Sequence, residues 1–187
     1  ENAAYFGVPP PVFKPIIERL AGVRSALGEK LKIILEKPFG DNEASAIDLF
    51  HFTSRFFKSE DVFLLDHYLG KSTVQSILPL RYNNAILNML LKGNVISNIQ
   101  INALEDVGIG KRIGYFESVG IIKDMIQSHL MQILALFAMS LPLKPYVTSV
   151  RREKVNLFSA LRYGDKPCGI VLGQYRGYKR EEGVAKG

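Results

Sequence analysis

One short segment carries four kinds of reactive side chain. Residues 66–71, DHYLGK, place an acid, an imidazole, a phenol and an amine within six positions. If a helix begins at Ser72, Lys71 lies at its N-terminus beside backbone N–H groups that have no intrahelical partner, and an anion is favoured there. His67, Tyr68 and Lys71 would then surround a phosphate. The competing interpretation is a strand end whose tyrosine packs and whose histidine and lysine are solvated.

A second candidate is the pair Asp124 and His129 in GIIKDMIQSHL. On an α-helix, residues five apart lie about 140° apart around the axis and about 7.5 Å apart along it. This spacing lets the two side chains flank one bound molecule but not pair with each other. His129 precedes a strongly apolar stretch, where a neutral imidazole can act as a general base. A core histidine with satisfied hydrogen bonds is the alternative.

The third candidate is EKPFG, where Glu36 and Lys37 end an apolar run. Open α/β sheets place ligand contacts at the carboxyl ends of such strands. The Lys37–Pro38 bond is a candidate for a cis peptide, because X-Pro bonds favour trans only weakly. The glycine-rich segment 108–114, GIGKRIG, fits neither the dinucleotide fingerprint nor a P-loop, and we interpret it as a hairpin loop.

These candidates lie on elements of two kinds. The first third alternates strand and helix, which is typical of a doubly wound α/β layer. Its segments are a strand in 3–13, a helix over 14–28, an apolar strand in 31–40 expected to be buried on both faces, a helix over 41–57 with Asp41 or Asn42 as N-cap, and a strand in 61–68.

From Gly70 the pattern changes to α+β. We predict helices over 71–91, 120–140 and 148–162, and strands over 94–106 and 168–178. The first helix has Ser72 and Gln75 spaced as a capping box, with Pro79 expected to kink it. Residues 94–106 alternate apolar and polar side chains, as an antiparallel strand with one wet face does. The predicted domains are therefore 1–65 and 66–187.

Composition narrows the class of partner. A formal charge of +6 favours anionic partners, but the basic residues form no long run, and we expect neither a nucleic acid nor a membrane partner. Cys168 is the single cysteine, which excludes a disulfide framework and fits a reducing compartment. With three histidines, a metal site is not expected. No signal peptide is visible before ENAAYFG.

Five segments in order carry a resemblance. YFGVPPPVF, EKPFG, DHYLGK, YFESVGIIKDMIQSHLMQ and VLGQY together resemble glucose-6-phosphate dehydrogenase, the NADP-dependent enzyme that opens the pentose phosphate pathway. The resemblance implies the C-terminal part of a Rossmann-like coenzyme domain, followed by the first part of an α+β domain with a mainly antiparallel sheet. It also implies oxidation of C1 of glucose 6-phosphate to 6-phosphogluconolactone with hydride transfer to NADP, a cytoplasmic location and a homo-oligomeric full-length enzyme.

The resemblance also implies roles for single residues around the reacting carbon. His129 matches the general base that takes the proton of the C1 hydroxyl, and Asp66 matches the carboxylate that orients this imidazole. Lys37 matches a residue that touches both sugar and coenzyme. Phe13 stands where the family often has a tyrosine beside the coenzyme, so that hydroxyl is lost.

Further roles concern the rest of the substrate. His67, Tyr68 and Lys71 match the phosphate site, in agreement with the helix N-terminus argument. Glu105 and Asp124 match carboxylates that bind sugar hydroxyls.

The chain also departs from the family pattern. Leu64 replaces a common arginine, Glu117-Ser118 replaces an Asp-Glu pair, and Lys123 replaces an arginine that would supply a fork of donors. The dinucleotide fingerprint is expected before residue 1 and most of the large sheet after residue 187. The alternative function is therefore that the isolated chain is a catalytically inactive structural or interaction module.

Overall fold

A computed structural model describes residues 2–24, 26, 31–40, 42–162 and 169–184. The chain divides into two compact units, Glu1–His67 (unit 1) and Tyr68–Gly187 (unit 2). This division falls two residues after the boundary that the sequence predicts. Each unit is described by itself.

Unit 1 is built on a parallel sheet of three strands. These are β1 (Asn2–Phe6), β2 (Leu31–Glu36) and β3 (Val62–Leu65), in the order β1-β2-β3. Helix α1 (Phe13–Val23) connects the first two strands, and α2 (Glu43–Ser54) connects the last two. The predicted alternation of strands and helices is confirmed here. Alternate residues of β2 are buried and half-buried, so the expectation of full burial on both faces is wrong.

Local sequence signals explain where the helices of unit 1 begin. A short 3₁₀ turn over Pro10–Val12 leads into α1, whose first residue, Phe13, is fully buried. Asn42 caps α2: its side chain accepts from the Ser45 N–H at 3.0 Å, and the Asn42 N–H donates to the Ser45 hydroxyl at 3.1 Å. This reciprocal capping satisfies two donors that the first turn leaves free. The alternative cap, Asp41, and the end of the predicted first helix, residue 25 and residues 27–30, lie outside the described residues.

One continuous core holds unit 1 together. It joins one face of the sheet to the inner faces of both helices, because the apolar residues of each element recur at the period of that element. Its buried members are Phe6, Phe13, Ile17, Leu31, Ile33, Leu35, Leu49 and Phe57.

Unit 2 is helical in its described residues. Its elements are α3 (Ser72–Gln75), α4 (Ile77–Asn83), α5 (Ala85–Leu90), α6 (Ile113–Ile121), a π-helix (Ile122–Leu130), α7 (Met131–Ala138) and α8 (Val147–Ala160). None of the helices in the described part of the chain combines the length and the apolar character that crossing a membrane requires.

The predicted helix over 71–91 is three shorter helices. Lys71 is the N-cap of α3 and makes no side-chain capping bond, so the predicted Ser72–Gln75 capping box is wrong. Helix α3 ends at Gln75, and Pro79 is the third residue of α4, which begins at Ile77. A proline in the first turn lacks only an N–H that would have had no helical partner.

The antiparallel sheet predicted for this unit is not confirmed. Residues 96–105 and 169–175 are described as irregular chain, with no strand in either segment. Apolar side chains of both segments are exposed, among them Ile99 and Ile170. A strand needs a hydrogen-bonded neighbour, and no described residue of unit 2 supplies one. The predicted hairpin loop at 108–114 is also wrong, because a 3₁₀ turn over Gly110–Arg112 leads directly into α6.

A buried arginine connects two helices of unit 2. Arg81 on α4 donates to the carbonyls of Leu136 and Met139 at 2.7 and 2.8 Å, and to Asn88 at 3.2 Å. These carbonyls belong to the C-terminal end of α7, where a cation is favoured by the helix dipole. Burial lowers the pKa of Arg81 from its ordinary value. Arg81 therefore fixes the end of the helix that continues from the π-helix.

Candidate active site

In unit 1, two predicted site residues lie at one edge of the sheet. Glu36 and Leu65 are partners in the β2–β3 register, and Lys37 and Asp66 are the residues that follow them. Lys37 and Asp66 are both half-buried. The Lys37–Pro38 bond is cis, as predicted. Carboxyl ends of parallel strands meet at the edge where open α/β sheets bind their ligands.

The turn after Lys37 is held tightly. A Cβ atom on Gly40 would lie 2.7 Å from the backbone nitrogen of Ala46, so only glycine lets this turn approach the start of α2. On the other side, the Tyr5 hydroxyl donates to the Glu36 carboxylate. This hydrogen bond is the main cause that raises the pKa of Tyr5. The segment that carries Lys37 is thus fixed by contacts on both sides.

Two further residues of unit 1 bear on the family pattern. Phe13 is fully buried and meets Phe6 edge to face at 5.7 Å, so coenzyme contact would require its ring to become accessible. Its role as a coenzyme contact stays a prediction. Leu64, which replaces the common arginine, is 57% exposed on β3. His67 is exposed and is the last residue of unit 1.

In unit 2, the π-helix carries Asp124 and His129, and both side chains are buried. A π-helix closes its hydrogen bonds between residues five apart, so these two residues lie on one face. The separation of about 140° expected from an α-helix is therefore wrong. The π-helix follows a sharp change of direction at Gly120, whose φ of 75° is in the left-handed region that favours glycine.

Tyr68 is in contact with three other predicted site residues. Its ring stacks on the His129 ring at 4.2 Å between centroids, and Lys71 Nζ lies 4.0 Å from its centroid. Its hydroxyl donates to Glu105 Oε1 at 3.4 Å, a long hydrogen bond. Burial, and then the negative charges of Glu105 and Asp124, raise the pKa of Tyr68, which keeps its phenol a donor at neutral pH.

The contacts around Tyr68 form one cluster, called here the Tyr68 cluster. Its predicted members are Tyr68, Lys71, Glu105, Asp124 and His129. A groove lined by Leu91, Lys92, Phe137 and Ala138 contains none of them. Helix α3 begins at Ser72 as predicted, but it has four residues, so its dipole adds little and the charge of Lys71 is the main attraction for an anion.

Two residues of this cluster were missed by the sequence reasoning. Arg112 NH2 lies 3.2 Å from Asp124 Oδ2. The pKa of Tyr115 is raised by burial and by the charge of Asp124. Arg112 is part of GIGKRIG, which drew attention only for its glycines. Arg112 could have been found from the general requirement that a buried carboxylate, such as that of Asp124, has a cationic partner.

The chemistry of the Tyr68 cluster is specific. A buried imidazole can accept a proton, carboxylates can accept hydrogen bonds from hydroxyl groups, and a lysine beside a phenol can bind an anion. Such a combination suits a substrate that is both polyhydroxylated and anionic. Unit 1 supplies the kind of sheet edge at which dinucleotides bind.

Comparison with known families defines the class first. Residues 1–76 match the family model described as "Glucose-6-phosphate dehydrogenase, NAD binding domain", and residues 78–187 match "Glucose-6-phosphate dehydrogenase, C-terminal domain". The class is therefore a nicotinamide-dependent dehydrogenase with a nucleotide-binding and a C-terminal domain. The chain belongs to the glucose-6-phosphate dehydrogenase family.

Individual curated relatives are named as members of the same family. "Glucose-6-phosphate 1-dehydrogenase 2" of Mycobacterium tuberculosis is 38% identical over 167 residues, covering 88% of this chain and 32% of that protein. The chloroplastic glucose-6-phosphate 1-dehydrogenase of Spinacia oleracea is 35% identical over 94% of this chain and 30% of its own length. The chain thus spans about a third of the length of these curated relatives.

Solved structures support the same conclusion. The crystal structure of glucose-6-phosphate 1-dehydrogenase from Mycobacterium avium superposes with a TM-score of 0.86 at 38% identity, covering 98% of this chain and 41% of that one. A glucose-6-phosphate dehydrogenase in complex with its substrate glucose-6-phosphate superposes with a TM-score of 0.75 at 35% identity, covering 84% and 33%. The predicted family, enzyme class and NADP-type coenzyme are confirmed at the level of the family. The roles of single residues and the domain boundary stay predictions.

Proposed function

We propose that the native protein carrying this sequence oxidises C1 of glucose 6-phosphate to 6-phosphogluconolactone. NADP supplies the chemistry of hydride acceptance. The observation that carries the proposal is the pair of buried residues Asp124 and His129 on one face of a π-helix, with Tyr68 stacked on the imidazole. Non-α-helical turns of this kind occur often at functional sites.

His129 acts as the general base. The imidazole would take the proton of the C1 hydroxyl, so that this oxygen could form the C1=O bond as hydride leaves C1 for the coenzyme that the domain would hold. We assign the orientation of the imidazole to Asp66, on the strength of the family resemblance. Stacking on Tyr68 restricts the rotation of the ring, so less freedom is lost when substrate binds.

Tyr68, Lys71 and His67 bind the substrate phosphate. Lys71 supplies positive charge and Tyr68 a neutral hydroxyl donor, since its pKa is raised by burial. Glu105 and Asp124 accept hydrogen bonds from the sugar hydroxyls, and Lys37 contacts both sugar and coenzyme. Phosphate recognition and C1 chemistry thus use different sides of one substrate.

Several finer features belong to the same proposal. We propose an antiparallel sheet in the C-terminal domain, to which segments 94–106 and 168–178 contribute strands; Cys168 in the latter lies outside the described residues. We also propose a homo-oligomer without nucleic acid or membrane partners, a domain boundary between residues 65 and 66, and a cytoplasmic location. Relatives named chloroplastic make the location the first of these to check.

Replacing the base tests the assignment. His129→Asn in the native protein is expected to lower kcat by about 10²- to 10⁴-fold, the usual contribution of a general base. Calorimetric binding of glucose 6-phosphate should change little, because the role concerns the proton. His51→Asn is the matched control, since His51 is exposed on α2 of the other unit. Continued NADPH production by His129→Asn at the wild-type rate would contradict the assignment.

Replacing the phosphate cation tests the substrate site. Lys71→Ala is expected to raise the KM for glucose 6-phosphate about tenfold or more, with a smaller change in kcat, because a charged hydrogen bond to phosphate is lost. Lys144→Ala is the control, because Lys144 also lies over a tyrosine ring, 5.9 Å from the Tyr146 centroid. An unchanged KM in Lys71→Ala excludes this role.

A second candidate function applies to the isolated 187-residue chain. Its span of about a third of the relatives' length favours a structural or interaction module without turnover. Incubation of this chain with NADP and glucose 6-phosphate should then give no increase in reduced-nicotinamide absorbance. A steady increase proportional to protein concentration would exclude the module and assign activity to these residues alone.

A further inference from the structure

Asp124 is a buried carboxylate with a single cationic contact in the described part of unit 2. The residue is 7% exposed, and its Oδ2 accepts from Arg112 NH2 at 3.2 Å. A buried carboxylate is costly unless a charge or hydrogen bonds compensate for its lost hydration. Arg112 therefore matters more to Asp124 than a partner in an ordinary surface pair would.

The pair is asymmetric in its exposure. The side chain of Arg112 is 60% exposed, whereas that of Asp124 is 8% exposed. Arg112 is exposed enough to be hydrated by solvent, yet it contacts a buried carboxylate twelve residues further along the chain. Because a guanidinium N–H is a directional donor, this contact constrains the carboxylate in direction as well as in charge.

The backbone around Arg112 is anchored on both sides. The backbone N–H of Ile109 donates to the Tyr175 hydroxyl at 3.2 Å. Ile113 is buried, and a Cβ atom on Gly183 would lie 2.9 Å from its Cγ2 atom. Arg112 is thus presented by a turn whose neighbours are held by the segment 175–183.

Arg112 contacts one of the two carboxylate oxygens of Asp124. Oδ2 is bound by Arg112, so Oδ1 is the oxygen available for another donor. The charges of Asp124 and Arg112 both act on the phenols of Tyr68 and Tyr115, which shows that the pair belongs to the Tyr68 cluster. A partial rotation of the Asp124 carboxylate would move Oδ2 away from Arg112 NH2 and break this contact.

We propose that Arg112 is a positioning residue for substrate recognition, which holds the Asp124 carboxylate in the orientation that accepts a hydrogen bond from a sugar hydroxyl. This inference rests on the proposed function and adds a residue to it. Arg112 does not touch the reacting carbon. Its effect is transmitted through Asp124.

A double-mutant cycle in the native protein tests this. Arg112→Met alone should raise the KM for glucose 6-phosphate about tenfold, with the KM for NADP unchanged and kcat reduced less than threefold. Arg112→Lys should recover part of the loss, since it keeps the charge but not the fork. In an Asp124→Asn background, Arg112→Met should have little further effect, because the two residues act as one unit.

The control and the outcomes separate the two proposals. Arg152→Met removes an arginine whose ion pair with Glu153 is on the surface of α8, and it should leave both KM values unchanged. If the wild-type protein is active but the effects of Arg112→Met and Asp124→Asn on the KM for glucose 6-phosphate are additive, the positioning role is wrong and the proposed function stands. The same holds if Arg112→Met raises the KM for glucose 6-phosphate and the KM for NADP equally. A wild-type protein that neither binds glucose 6-phosphate calorimetrically nor reduces NADP overturns the proposed function and, with it, this inference.

Discussion

The two units place their functional residues by different physical means. In unit 1, Lys37 and Asp66 follow directly on paired parallel strands, so the backbone ladder brings them to one edge. In unit 2, Asp124 and His129 lie on a π-helix, and side chains such as Arg112 and Tyr68 hold them. Positioning by a ladder depends on the fold as a whole, whereas positioning by side chains depends on a few replaceable residues.

The two units also differ in the size of their buried apolar clusters. In the described residues of unit 1, eight buried hydrophobic side chains form one cluster. The described cluster of unit 2 has three, Val74, Leu136 and Met139, and Arg81 is buried nearby with its donors on backbone carbonyls. Unit 1 is therefore stabilised mainly by apolar packing, and unit 2 relies more on buried polar contacts.

The largest expected effect compares the two cores directly. Ile33→Ala in the centre of β2 should lower the free energy of unfolding by about 3–4 kcal/mol, because the cavity is enclosed on all sides. Leu136→Ala in unit 2 should cost about 2 kcal/mol, since partly exposed neighbours can relax into the gap. Urea unfolding followed by circular dichroism measures both, with the exposed Glu18→Ala as control. A larger cost for Leu136→Ala would remove the proposed difference between the cores.

The next effect tests the buried arginine of unit 2. Arg81→Met should lower the free energy of unfolding by about 2 kcal/mol, because the carbonyls of Leu136 and Met139 lose charged donors that Met cannot replace. Arg81→Lys should recover only part of this, since one ammonium cannot reach all three acceptors. Equal stability of Arg81→Met and wild type would mean that apolar packing suffices in unit 2 as well.

The same difference explains how much of the molecule the sequence predicted. In unit 1 the periods of strand and helix, the prolines after β1 and the cap at Asn42 are local signals, and the strands and helices they predict are present. Lys37 and Asp66 are at one edge because parallel strands have their carboxyl ends on the same side of the sheet. In the described residues of unit 1, the structure overturned the expectation that β2 is buried on both faces.

In unit 2 the deciding interactions are not local in the sequence. Segment 94–106 has the alternation of a strand, but alternation alone does not supply the partner that a ladder needs. The π-helix has no sequence signal as clear as a cap, and without it Asp124 and His129 were expected on different faces. The Arg112–Asp124 contact joins residues twelve apart through the turn at Gly120, which no periodicity describes.

A smaller effect is expected where unit 1 depends on a local signal. Asn42→Ala should lower the free energy of unfolding by about 1 kcal/mol, because the Ser45 N–H at the start of α2 loses its side-chain acceptor. Asn42→Asp should be close to wild type, since a carboxylate caps as well as an amide. Thermal unfolding measures both. A loss well above 2 kcal/mol would show that the Asn42 cap stabilises more than the first turn of α2. Side-chain contacts, and not only the hydrogen bonds of the parallel sheet, would then position this part of unit 1.

The smallest expected effect is confined to alkaline pH and concerns unit 2. The Tyr178 hydroxyl donates to Glu117, which, together with burial, raises the pKa of Tyr178 from 10.0 to about 12. A raised pKa means that the neutral phenol stabilises the fold fully below pH 10, and that this contribution is lost as the pH rises toward 12. The difference in unfolding free energy between wild type and Tyr178→Phe should therefore be constant up to pH 10 and shrink above it. In a Glu117→Gln background the loss should be smaller and complete at a lower pH, because the hydrogen bond and the charge that raise the pKa of Tyr178 in the folded state are gone. A difference that stays constant to pH 12 would mean that Tyr178 contributes by ring packing alone, and that unit 2 depends less on polar contacts than its Tyr68 cluster indicates.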